Sequence, residues 1–257
     1  MPYSFAEKVV WVTGASSGIG RALALQLYSQ GWHLGLCARR REVLEQVRAE
    51  LRSAHPDGGN VEVATVDVAA PETIRPLLEH FEQVLGGVDT VVVNAGINSI
   101  HPVGKGHLVE DMAMVAINLV GAMATIDGAV RMFRSAGRGH VVGISSLAAL
   151  RPMAGQAAYC ATKAGLNAYL DSVRLEVEDA GIAVTTIMPG CVETSIVEGV
   201  AKYPFCVSAQ RAATEIARHM ERRSDVGIVP AYPWRALAPA LPHLPKRVLK
   251  RLGKVKS

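Results

Sequence analysis

The stretch VVWVTGASSGIGRALALQLYSQ, residues 9–30, runs from a β-branched apolar segment through a glycine-spaced turn into a helix-length pattern. The apolar run VVWV does not alternate with polar residues, so it reads as a strand covered on both faces. The turn TGASSGIG (13–20) sets Gly14, Gly18 and Gly20 in the spacing G-x-x-x-G-x-G. Glycines there let the backbone bend sharply and approach a phosphate closely. The helix that follows offers unpaired N–H groups and the positive end of its dipole. Together these features predict a pyrophosphate cradle made by Gly14, Ser16, Ser17, Gly18, Ile19 and Gly20.

The same alternation continues outward. Short apolar runs recur at 33–38, 61–68, 88–96, 140–146, 183–190 and 226–230, and helix-length segments lie between them at 21–30, 41–51, 71–85, 108–135, 156–179 and 208–222. Buried strands that each lead into a helix predict a parallel sheet with helices on both faces. Seven such strands in 257 residues fit a single doubly wound α/β domain better than two domains. Residues 1–230 therefore read as a dinucleotide-binding and catalytic domain, and 231–257 as a proline-rich, basic C-terminal tail. SAHPDGGN (53–60) reads as a surface loop.

Apolar residues make up 49% of the chain, enough for a sizeable core. No uninterrupted apolar run reaches 18 residues, which predicts no membrane span. The N-terminus goes straight into a strand without a basic region and cleavage site, which predicts no secretion. The four cysteines, Cys37, Cys160, Cys191 and Cys206, form no C-x-x-C pair. Their scatter argues against a zinc site or disulfide framework and predicts a cytoplasmic protein. Cys160 lacks a His/Asp partner set nearby and reads as structural.

The second strand indicates which dinucleotide fits. A free ribose 2′-hydroxyl calls for a carboxylate some 20 residues past the glycines, whereas a 2′-phosphate calls for arginine. Here the strand ends in CARRRE (37–42), with no acid before Glu42. A guanidinium grips a phosphate through paired charge-assisted bonds, so the expected cofactor is NADP(H) rather than NAD(H). Arg39 is the first candidate for the phosphate and Arg40 the second.

TGASSGIG, VDV at 66–68, NAG at 94–96, Asn118, ISS at 144–146, YCATK at 159–163 and PGCVET at 189–194 stand in one order. In that order they resemble the short-chain dehydrogenase/reductase family over about residues 6–230. The resemblance implies a single Rossmann-type domain with strand order 3-2-1-4-5-6-7 and a nicotinamide cofactor along the carboxyl edge of the sheet. It implies that Asp67 and Val68 contact the adenine and that Asn94, Ala95 and Gly96 line the adenosine ribose. Pro189, Val192 and Thr194 are expected to hold the nicotinamide half.

Tyr159 and Lys163 are four residues apart and share a helix face. A cation near the phenol lowers its pKa from about 10 toward neutrality, and a positively charged nicotinamide adds to that effect. The family likeness implies that Tyr159 exchanges a proton with the substrate oxygen. It implies that Ser146, thirteen residues earlier, donates a hydrogen bond to that oxygen. Ser145 is the rival, but strand alternation turns neighbours to opposite faces. Lys163 is expected to bind the nicotinamide ribose as well, and Asn118 to position a water that relays protons to Lys163.

Substrate choice falls to the loops at 97–106, 147–156 and 191–208. Leu147, Leu150, Met153, Ile196, Val197 and Phe205 there suggest a hydrophobic carbonyl or alcohol. The expected reaction is NADP(H)-dependent interconversion of a carbonyl and an alcohol on a small molecule. The alternative is a non-catalytic NADP-sensing protein on the same fold, which has no need of Ser146, Tyr159 and Lys163 together.

The net charge is +4, yet the last 32 residues hold seven basic residues and no acid. PKRVLKRLGK (245–254) leaves two readings open: a peripheral membrane contact or a helix capping the cleft. Nucleic acid is not expected as a partner, because no stacking platform or DNA-binding motif accompanies the basic tail. A homo-oligomer is expected, a dimer through the helices at 108–135 and 156–179 or a tetramer. The missing glycine-rich ending after the last strand argues against the tetramer.

Overall fold

The structure, a computed structural model, describes residues 8–194, 205–243 and 245. Seven strands, β1 (Val9–Thr13), β2 (His33–Ala38), β3 (Val61–Thr65), β4 (Thr90–Val93), β5 (Gly139–Ile144), β6 (Ile182–Pro189) and β7 (Val226–Val229), form one sheet. Every pairing is parallel and the order is β3-β2-β1-β4-β5-β6-β7, as the family resemblance implies. Among the described residues eight α-helices accompany them, seven between strands and the last after β7: α1 (Gly18–Tyr28), α2 (Arg41–Ala54), α3 (Ile74–Leu85), α4 (Leu108–Val115), α5 (Gly121–Ala136), α6 (Ala157–Val177), α7 (Ala209–Glu221) and α8 (Ala231–Leu237).

The period of two along a strand divides the core into two layers. Val10 and Val12 of β1 face α1, α2 and α7, packing with Leu23, Leu27, Leu44 and Ile216. Val9 and Trp11 face the other way, against Phe81 of α3, Ile126 and Phe133 of α5 and Leu170 of α6. All five residues of β1 are buried, which is why the run carries no polar alternation. The strand order reverses between β1 and β4, and the loops leaving their carboxyl ends part there to open a crevice.

Helices α4 and α5 are continuous through a π-helical turn at Ala116–Val120. The whole span, Leu108–Ala136, is long and apolar enough to cross a membrane by length and composition. Its α5 half nevertheless lies on the sheet, with Ile126, Ala129 and Phe133 fully buried. Val109, Met112, Val115 and Val120 are exposed on the same span. The 231–237 segment, which the prolines suggest is irregular, forms α8 and continues into a 3-10 turn at Ala238–His243. Of the basic tail, residues 246–257 lie outside the described residues, and with them the membrane-contact and cleft-capping readings.

The cysteine expectation is corrected. Cys191 and Cys206 form a disulfide, with Cα atoms 4.5 Å apart, while Cys37 and Cys160 are free and buried. Two-residue strands at Val192–Glu193 and Val207–Ser208 pair in parallel, and this pairing brings together residues 15 apart in sequence. Sequence spacing carries no sign of it, so a compartment inferred from unpaired cysteines loses that ground.

His140 on β5 is buried and its Nε2 lies 2.8 Å from the Thr185 hydroxyl of β6. Burial, with a smaller push from the Arg223 charge, lowers its pKa to about 3. The unfolded chain takes up that proton near pH 6.5, so stability falls as pH drops from about 6.5 to about 3, by about 1.4 kcal/mol per pH unit. The melting temperature of a His140→Gln protein should therefore decline less steeply than wild type between pH 6.5 and 4. Equal slopes in acid thermal melts would contradict this assignment.

Candidate active site

The glycine turn is held from across the reversal point. The Thr13 hydroxyl accepts hydrogen bonds from the backbone N–H of Asn94 (2.9 Å) and of Ala95 (3.1 Å). The Asn94 side-chain amide donates back to the Thr13 carbonyl at 2.8 Å and to the Gly14 carbonyl at 3.2 Å. Gly14 sits at φ 69°, and a Cβ there would stand 2.8 Å from the Ala95 Cα. A Cβ on Gly20 would stand 2.5 Å from the Asn94 amide nitrogen and the Gly14 carbonyl oxygen. Side chains at these positions would fill the cradle or break its ties. Ser17 caps α1 without a side-chain hydrogen bond, and no acid occupies the first turn. The first-turn donors and the dipole are thus left for an anionic ligand. These features fit a dinucleotide phosphate.

A cleft of about 320 Å³ runs from this turn along the carboxyl edge of the sheet. Arg39 and Arg40 line one end, and the Arg40 guanidinium donates to the Ser16 hydroxyl at 3.1 Å. Arg39 makes no such tie and is exposed. Asp67 and Val68 line the cleft after β3, and the Asp67 carboxylate accepts the backbone N–H of Ala69 at 3.0 Å.

At the other end Ser146, Tyr159 and Lys163 come together. Ser146 leaves β5 and its hydroxyl hydrogen-bonds the phenol of Tyr159, while also accepting the Ala148 N–H at 3.1 Å. Ser145 turns the other way and donates to the Lys163 carbonyl at 3.2 Å. Both serines line the cleft, and the Ser145 hydroxyl is engaged in supporting α6. The Lys163 ammonium donates to the Ile144 carbonyl at 2.8 Å and lies 5.9 Å from the centre of the Tyr159 ring.

The charge balance differs from the one the sequence suggests. In the free protein burial raises the Tyr159 phenol above its ordinary range, and the Ser146 hydrogen bond opposes this only in part. Burial also lowers the Lys163 ammonium to about 8. That cation donates to the Ile144 carbonyl and lies over the phenol ring. The drop of the phenol toward neutrality is thus absent from the protein without its cofactor.

Asn118 sits in the π turn, 1% exposed, and does not line the cleft. Its amide brackets Ile97: Nδ2 donates to the Ile97 carbonyl and Oδ1 accepts the Ile97 N–H, each at 2.8 Å. The side chain of Asn118 is thus engaged in fixing the loop after β4.

Of the other expected cofactor residues, Gly14, Ser16, Ser17, Gly18, Ile19, Asn94, Ala95, Gly96, Pro189, Val192 and Thr194 all line the cleft. Gly20 lies beneath it. Ala38, Val66, Ile97, Ile117, Ile144 and Gly190 line it too without having been singled out; each is next to a motif residue or one removed at a strand or helix end. Beside Ser146 and Gly190, Leu147, Met188 and Ala238 form an apolar cluster with Leu150, Ile228, Trp234 and Leu241. Trp234 packs onto Gly190, where a Cβ would stand 2.7 Å from the indole nitrogen, and Phe205 meets Trp234 edge-on at 5.8 Å. Ile196 and Val197 lie outside the described residues.

Residues 8–203 match the family model described as short chain dehydrogenase. An uncharacterized oxidoreductase of Mycobacterium tuberculosis is 35% identical over 245 residues, spanning 95% of this chain and 96% of the relative. Among solved structures, levodione reductase superposes with a TM-score of 0.73 at 28% identity, covering 93% of this chain and 91% of that one. An alcohol dehydrogenase from Thermococcus sibiricus complexed with 5-hydroxy-NADP gives 0.76 at 25% identity, covering 87% and 95%. The cradle, the cleft and the Ser-Tyr-Lys cluster at its end thus stand in a chain that belongs to the short-chain dehydrogenase family, an oxidoreductase of the dehydrogenase/reductase kind that uses a nicotinamide cofactor.

Proposed function

We propose that this enzyme is an NADP(H)-dependent reductase that interconverts a hydrophobic small-molecule carbonyl and its alcohol, with Tyr159 as the proton-transferring group. The observation that carries the reading is the meeting of Ser146, Tyr159 and Lys163 at one end of a cleft whose other end is the glycine turn. A bound nicotinamide dinucleotide supplies or accepts the hydride. The chain's own groups do the rest. The Ser146 hydroxyl, already bonded to the phenol, holds the substrate oxygen beside it. Tyr159 gives its proton to that oxygen in reduction and takes it back in oxidation. Lys163 binds the nicotinamide ribose. A phenol kept neutral by burial is in the state that carbonyl reduction needs. Arg39 and Arg40, with no acid beside them before Glu42, support a 2′-phosphate as the distinguishing group. The apolar cluster around Trp234 and Leu147 supports a hydrophobic substrate. Residues 1–230 carry cofactor and catalysis in this reading, and the 231–243 segment adds the apolar wall. The exposed apolar residues of α4, including Val109 and Met112, support a dimer through α4, α5 and α6.

Tyr159→Phe should lower kcat by about 10²–10⁴-fold while the NADPH dissociation constant stays near wild type. Wild-type turnover with normal cofactor binding would refute the proton-transfer role. For the wild-type enzyme, carbonyl reduction should hold its rate through neutral pH and fall only in alkali, whereas alcohol oxidation should rise with pH. The same pH dependence in both directions would contradict a shared phenol.

Arg39→Asp should raise KM for NADPH by about 10–100-fold, the loss of one charge-assisted contact, and change KM for NADH far less. Steady-state assays with both cofactors across a carbonyl panel give this ratio and the preferred substrate class together. Equal changes for the two cofactors would remove the NADP assignment. In sedimentation velocity, Met112→Glu should shift the protein toward monomer; an unchanged sedimentation coefficient would place the interface elsewhere.

A further inference from the structure

The disulfide lies against the cofactor cleft. Pro189 and Gly190 line the cleft where β6 ends, Cys191 follows directly, and Val192 and Thr194 line the cleft again. A Cβ on Gly18 would stand 3.2 Å from the Thr194 Cγ2, so Thr194 closes the cleft against the phosphate cradle. Among the described residues, a short strand pairing and two core valines hold its chain segment. The Val192–Glu193 strand has two residues and, among the described residues, pairs with Val207–Ser208. One backbone bond, from the Val207 N–H to the Cys191 carbonyl at 3.1 Å, spans the cysteine end of that pair. Val192 and Val207 pack into the core, but Cys191 and Cys206 are half-buried and within reach of solvent. The other two cysteines are buried, so they do not compete for a thiol reagent.

We propose that Cys191–Cys206 is a redox-modification site whose exchange partner is a low-molecular-weight thiol/disulfide couple, and that its oxidised form holds Thr194 in place for dinucleotide binding. This rests on reading the cleft as the nicotinamide dinucleotide site. The chemistry is a two-electron exchange. A thiolate of the reductant attacks one sulfur, the Cys191–Cys206 bond breaks, and a mixed disulfide forms. A second thiol of the reductant resolves it, leaving two protein thiols and one small-molecule disulfide. The reverse exchange, with the small disulfide as oxidant, restores the bond. Reduction leaves the segment to its two-residue ladder and the packing of two valines. Thr194 then spends less time over Gly18, and the cleft must be ordered again each time a dinucleotide binds.

The test uses the full-length protein poised in reduced or oxidised dithiothreitol, with the state of the pair read by alkylation and intact mass. NADPH and NADH are titrated by fluorescence in each state. Reduction should raise the NADPH dissociation constant by about five- to tenfold, at the low end of couplings between sites, and reoxidation should restore it. A Cys191→Ser/Cys206→Ser protein should bind with the weaker constant in both buffers, its fold checked by circular dichroism. The reversible wild-type titration stands alone if that variant does not fold. Equal NADPH affinity in two states that alkylation shows to differ would overturn the proposal, as would thiols that never pair in the oxidised buffer. Failure of both dinucleotides to bind in either state would instead sink the cofactor reading, and this proposal with it.

Discussion

One set of hydrogen bonds at the reversal of the sheet organises the site. Thr13 at the end of β1 and Asn94 at the end of β4 bond to each other through side chain and backbone, and Asn94 reaches on to the Gly14 carbonyl. Parallel strands diverge where the order reverses, and without a tie the glycine turn and the loop after β4 would be free to separate. The tie fixes the phosphate cradle relative to β4. Through Ile97 and its two bonds to Asn118, it also fixes the cradle relative to the π turn beside α6. Cofactor end and catalytic end are thus set by one chain of short contacts rather than by the sheet alone.

Burial does the electrostatic work in the free protein. It raises the phenol of Tyr159 and lowers the ammonium of Lys163 to about 8, so each group leans toward its neutral form. A nearby lysine is therefore not by itself enough to make a phenolate. The buried amine directs a proton at the Ile144 carbonyl and stands 5.9 Å from the centre of the phenol ring, and burial outweighs whatever lowering it gives the phenol. The remaining stabilisation of the phenolate has to come from a positive charge brought in with the oxidised cofactor. In the proposed mechanism that division makes the proton acceptor depend on the ligand: the phenol serves as an acid until a cation arrives.

The fold was legible because apolar runs and glycine turns are local signals. Buried parallel strands announce themselves without alternation, as β1 does, and helix-length segments between them leave one architecture. Much of the line of cleft residues was legible through the family likeness, whose motifs stand at the ends of parallel strands that all deliver their loops to one edge. What was not legible was tertiary. The pairing of Val192–Glu193 with Val207–Ser208, and the disulfide it permits, joins positions with no periodic relation. The packing of Trp234 onto Gly190 comes from a segment whose prolines suggest irregular chain. The direction of the Tyr159 shift was missed because spacing on a helix gives proximity, whereas burial and the aim of the lysine proton depend on β5, which lies apart from the helix in sequence.

The most direct measurement is a pH titration of the Tyr159 ring by carbon-13 NMR, in protein labelled at tyrosine Cζ, with and without oxidised cofactor. The account predicts a phenol that resists ionisation beyond the ordinary tyrosine range in the free protein and titrates at clearly lower pH once the cationic nicotinamide is bound. A phenol that already ionises near neutrality without cofactor, or one whose titration does not move when cofactor binds, would contradict it.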